Sequence, residues 1–179
     1  MFSNSVVTGT AEARIEPTTA KQENPMSIEA KIQELNLELP TAPKPGGIYN
    51  PVVQVDDMLY VSGHGPIKLD GSMHTGRVGD DLTEEQGVEA ARAVALTMLA
   101  TLKQYLGDLN RIDRFVKVLG MVNAAPDFKR HPQVINGFSD LIVQVFGENG
   151  RAARSAVGMG SLPGNITVEV EAIVMLKKQ

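Results

Sequence analysis

The residues best suited to chemistry in this chain concentrate near its C-terminus. Ala153-Arg154-Ser155-Ala156-Val157 sets one arginine among small and apolar residues. A guanidinium in such company is costly unless it has a partner. Its planar fork suits a carboxylate held by two parallel hydrogen bonds. That partner is either an internal glutamate, Glu169 or Glu171, or the carboxylate of a bound molecule. Glu169 and Glu171 lie two apart on one extended run and therefore share a face. They form a plain polar face, or one of them orients a water molecule. Tyr49 follows Gly46-Gly47-Ile48 after a proline-rich loop, a position that packing at a strand entrance explains. Asn136 places an amide on a mostly apolar helical stripe, where a capping or helix-to-sheet hydrogen bond explains it.

Other chemistries fail on residue type. No Gly-x-Ser-x-Gly elbow and no P-loop occur. The only histidines, His64, His74 and His131, lack short ligand spacing, so no zinc site is expected. Gly158-x-Gly160 is too short for a dinucleotide fingerprint. Cysteine is absent, which excludes disulfides, thiolate metal sites and a thiol nucleophile and fits a reducing compartment. The 179 residues carry a net charge of −4, so no basic excess addresses nucleic acid or an anionic membrane. Tryptophan is absent and aromatics make up 4%, leaving few platforms for stacking bases. No run approaches the roughly 20 apolar residues of a membrane span. Met1–Pro25 lacks the basic and apolar regions of a secretory signal. It carries Glu12, Glu16 and Glu23, against a transit peptide, and reads as a disordered extension. Residues 26–179 then form one domain, expected in the cytoplasm.

The elements that must position these side chains follow from periodicity. Ser27 N-caps a short helix to Asn36, with Ile28, Ile32 and Leu35 on one stripe. Three prolines make 40–47 an extended loop. Val52–Val55 and Met58–Val61 read as a hairpin about Asp56-Asp57. Ser62-Gly63-His64-Gly65-Pro66 ends it, and loop follows to Asp81. Thr83 and Gln86 form a capping box for a helix from Glu84 to Leu106, which Gly107 stops. Arg114–Val122 reads as a strand with Val116, Val118 and Val122 on one face. A second long helix runs from Pro132 to Phe146, with proline suited to its first turn. Arg154–Met159 and Ile166–Leu176 are strands. The second alternates, with an apolar face at Ile166, Val168, Val170, Ala172, Val174 and Leu176. Two long helices on one face of a four- to six-stranded sheet give a two-layer α+β domain. Leu119, Met121, Ile173 and Met175 on the other face call for cover by another subunit.

Taken together, these residues carry a resemblance. Tyr49, Tyr60-Val61-Ser62-Gly63, Gly79, Gln86, Asn136, Ala153-Arg154-Ser155, Leu162-Pro163 and Val168-Glu169-Val170-Glu171-Ala172 resemble the RidA/YjgF family of enamine/imine deaminases over residues 38–177. The resemblance implies a chorismate-mutase-like fold in a homotrimer, with ligand clefts between adjacent subunits. It implies hydrolysis of a 2-imino acid, formed from a 2-aminoacrylate-type enamine, to a 2-keto acid and ammonia. Arg154 would bind the substrate carboxylate and Glu169 would position the attacking water. Tyr49 and Asn136 would line the cleft from different subunits, and backbone near Ser62, Gly63 and Ala156 would contact the ligand. No metal or organic cofactor is implied. The chain departs from the family pattern at His64, where glutamine is common, and at Ala156, where cysteine is. His64 would change polarity at the cleft edge and with it substrate choice, and it either titrates near neutral pH or makes a plain hydrogen bond. A non-catalytic trimer that binds small carboxylates is the alternative, and the RNA cleavage ascribed to some relatives is disfavoured by the acidic charge.

Overall fold

A computed structural model describes residues 27–178. The extension read over Met1–Pro25 lies outside these residues. The element order is α1 (Ile28–Glu34), β1 (Val52–Val55), β2 (Met58–His64), α2 (Glu84–Leu106), β3 (Ile112–Asn123), α3 (His131–Phe146), β4 (Ala153–Met159) and β5 (Val168–Leu176). The five strands form one sheet in the order β1-β2-β5-β3-β4. Every pair is antiparallel except β3 with β4. The α+β fold with two long helices against one sheet face is thus the one read from the pattern.

Local chemistry accounts for the ends of the elements. The Ser27 hydroxyl accepts from the Ala30 amide and starts α1. Thr83 and Gln86 complete the capping box of α2 in both directions. Gly107 closes that helix with its amide on the Lys103 carbonyl at 2.8 Å. Pro132 sits in the first turn of α3, where a missing N–H costs nothing. Between the helices and the sheet lies a core that includes Val94, Met98, Leu102, Phe115, Val118, Phe138, Leu141, Val170 and Val174. Helices α2 and α3 pack closely because Gly137 has no Cβ. A carbon there would overlap the Val88 carbonyl oxygen and sit 2.9 Å from its carbon.

Register shifts in β3 and β2 depart from the sequence reading. In β3 they fall between Ile112 and Arg114 and between Phe115 and Lys117. The second turns Phe115 into the core and leaves Val116 only half-buried, so the alternation expected through Val116 breaks there. In β2 the strand does not end at Val61 but runs on to His64. Val61 faces Ala172 and His64 faces Val170, so Ser62 and Gly63 together oppose Glu171. This is a bulge, and its extra residue changes which face His64 takes. The glycine inside the strand is the sequence signal for it.

Candidate functional site

The sheet register separates the two acidic residues from the arginine. Arg154 lies beside Val118, and Val118 beside Ala172, both buried under the helices. Glu169 lies beside Met121, which lies beside Val157, and Glu171 lies beside Leu119. Those residues belong to the opposite face. An internal ion pair between Arg154 and either glutamate, one of the two sequence readings, is therefore ruled out by topology. Among the described residues no carboxylate pairs with Arg154 at all.

Helix α3 holds Arg154 instead. Its Nη1 donates to Asn136 Oδ1 at 3.0 Å and to Ser139 Oγ at 2.9 Å, and its Nη2 donates to the Pro132 carbonyl at 3.3 Å. The amide expected to link helix and sheet does so, and its target is the arginine. Asn136, Ser139 and Arg154 share a concavity with Arg151, Ala152 and Asp140. Ala156, two residues along β4, faces the same side and is half-buried.

The remaining candidates gather in a second cavity of about 740 Å³, lined by Tyr49, Ser62, Gly63, His64, Glu169 and Glu171 among others. The Glu169 carboxylate lies over Gly63, where any Cβ would overlap it. Burial and the neighbouring Glu171 charge push the Glu169 carboxyl above the usual carboxylate range. A carboxylate so placed is a better proton acceptor than a free one. Tyr49 is 48% exposed, and its hydroxyl accepts from the Gly46 amide at 3.3 Å. The Ser62 hydroxyl donates to the Asn50 carbonyl at 2.8 Å, fastening the loop to the bulge.

His64 borders this cavity, but its imidazole points inward and is 4% exposed. Nδ1 lies 2.7 Å from the Ser62 carbonyl, which can only accept, so Nδ1 carries the proton. Nε2 then accepts from the Thr101 hydroxyl of α2 at 2.8 Å. Burial holds its pKa below the ordinary histidine value. Both nitrogens of the neutral ring are engaged, and the side chain ties β2 to α2.

The family model described as "YjgF/chorismate mutase-like, putative endoribonuclease" matches residues 29–174. The chain belongs to this family. Protein TCP17 of Trypanosoma cruzi is 43% identical over 150 residues, covering 83% of this chain and 94% of that protein. A 2-iminobutanoate/2-iminopropanoate deaminase of Dermatophagoides farinae is 28% identical, covering 79% of this chain and 95% of its own length. The crystal structure of Atu1372 from Agrobacterium tumefaciens, a protein of unknown function, superposes with a TM-score of 0.77 at 43% identity, covering 84% of this chain and 92% of that one. The expected family and its fold thus stand.

The sequence reading missed Ser139, Thr101 and the Pro132 carbonyl. Ser139 could have been found, because it follows Asn136 by three residues and shares its helix face. Thr101 and His64 are 37 residues apart, and nothing in their spacing joins them. No group of three or more candidate metal ligands occurs among the described residues, and none of their helices is long and apolar enough to cross a membrane.

Proposed function

We propose that this chain is a homotrimeric deaminase that hydrolyses reactive 2-imino acids, derived from 2-aminoacrylate-type enamines, to 2-keto acids and ammonia. One observation carries the reading. The chain holds an arginine without a carboxylate partner on one face of its sheet and a carboxylate with a raised pKa on the other. In this reading a small ligand that uses both groups sits between two chains. The clefts that the family resemblance implies agree with that, and the likeness to a protein named as such a deaminase supports the activity.

In this proposal Arg154 binds the substrate carboxylate and fixes the imine carbon in front of Glu169. Such orientation can be worth several kcal/mol, about 7–11 in favourable cases. Glu169 takes a proton from water as the water oxygen bonds to the imine carbon. That proton passes to the nitrogen, giving a carbinolamine. Glu169 then takes the hydroxyl proton and delivers it to the amino group, so the C–N bond breaks, ammonia leaves and the carbonyl forms. Tyr49 and the Ser62 and Gly63 backbone line one side of the cleft, and Asn136 and the Ala156 backbone line the other. The cytoplasm is the proposed compartment, supported by the absence of cysteine.

The test is ammonia release from enzymatically generated 2-aminoacrylate. The parent protein is expected to exceed the spontaneous rate clearly, and Arg154→Ala and Glu169→Gln are expected to fall back to it. Spontaneous rates in all three would overturn the deaminase and favour a protein that only binds small carboxylates.

A further inference from the structure

Arg154 is not simply present at the candidate site, because α3 leaves it only one free edge. A guanidinium has five N–H groups, two on each terminal nitrogen and one on Nε. Both Nη1 hydrogens are engaged, one by Asn136 Oδ1 and one by Ser139 Oγ. One Nη2 hydrogen goes to the Pro132 carbonyl. Nε and Nη2 are neighbours along the guanidinium's side edge, and each keeps one hydrogen without a partner among the described residues. With the Pro132 carbonyl on the Nη2 hydrogen of the Nη1 side, these adjacent donors match the two oxygens of a carboxylate. The Nη1–Nη2 edge cannot offer the same pair, since Nη1 has nothing left to give.

Ser139 matters most to this arrangement. Asn136 is exposed, whereas Ser139 is half-buried against the arginine, and its bond to Nη1 is the shortest of the three. Without it Nη1 regains a hydrogen and the guanidinium can rotate about its last bonds. A carboxylate would then meet several orientations of the fork instead of one, and the entropy of fixing that fork would be lost from binding.

We infer that Ser139 is a positioning residue that acts through Arg154, setting its Nε–Nη2 edge as the surface that reads a ligand carboxylate. The inference rests on the reading of Arg154 as a carboxylate clamp. It names a further residue that fixes selectivity for acids over their uncharged analogues.

The experiment compares binding of 2-oxobutanoate and of its uncharged amide, 2-oxobutanamide, to the full-length protein by calorimetry. The parent is expected to prefer the acid. Ser139→Ala is expected to weaken the acid roughly three- to tenfold, the net scale of one ordinary hydrogen bond because the lost bond acts on the ligand only through Arg154, while leaving the amide unchanged. Ser139→Thr restores a hydroxyl and is expected to recover most of the preference. Equal acid binding by Ser139→Ala and the parent would overturn the inference. Equal weakening of acid and amide would also overturn it, by making Ser139 a general support of the fold. A parent that does not prefer the acid would overturn the clamp itself, and that failure shows in the parent before any variant is made.

Discussion

At the scale of single residues, two buried or half-buried titratable groups set expectations. Glu169 owes its raised pKa first to burial and then to the charge of Glu171. As the proposed base it works ionised, so activity should fall as pH drops through its raised pKa. Replacing Glu171 with glutamine removes the repulsion, and the acid limb of the pH–rate profile is expected to move to lower pH. A limb that stays in place would show that Glu171 does not govern Glu169. His64 has the opposite sign of shift. Its folded pKa lies below the unfolded value of 6.5, so the unfolded chain takes up its proton first. The stability this group contributes is complete above that value and is lost as pH falls through the folded pKa. Thr101→Val leaves Nε2 buried without a donor and is expected to cost about 1–3 kcal/mol at neutral pH, read from urea unfolding. The decline in stability below pH 6.5 should persist in that variant, because burial rather than Thr101 causes it.

At the scale of elements, the crossing of α2 on α3 leaves no room for a side chain at Gly137. Gly137→Ala should help an isolated helix by about 1 kcal/mol. Here its methyl would meet the Val88 carbonyl, which is backbone and has no rotamer to change. A net loss of about 1–3 kcal/mol is therefore expected, the usual range for overpacking. A thermal midpoint at or above that of the parent would contradict the close approach. The elements were legible in sequence where one physical signal ruled. The capping box, the 3.6-residue stripe and the stop at Gly107 define α2 from Glu84 to Leu106, as the pattern predicts. Strands were legible except where a bulge interrupted alternation. Period-2 reading assumes that each residue flips face, and every inserted residue in β2 or β3 reverses the alternation of the residues on one side relative to the other. That is why Val116 and Phe115 exchanged roles and why His64 turned inward.

At the scale of the whole molecule, the open face of the sheet sets the question. Leu119, Met121, Ile173 and Met175 lie there only half-covered, and Val53 and Tyr60 beside them are 45% and 47% exposed. An apolar surface of this kind is commonly an interface. Under the proposal, light scattering of the full chain should give about three times its 19.2 kDa mass. A single-chain mass across the concentrations used for activity would overturn the inter-subunit cleft.

The sequence by itself determined the family, the two long helices, the alternating final strand and the short set of polar residues worth attention. Those are local properties, carried by residue type and spacing along the chain. Tertiary structure alone decided how the polar residues are grouped. Arg154 and Glu169 are 15 positions apart and suit each other by charge, so the sequence left an ion pair between them open. Pairing β3 with both β4 and β5 put them on opposite faces of one sheet and gave Arg154 to α3, because a side chain's face follows from strand register and no single strand specifies its neighbour's register.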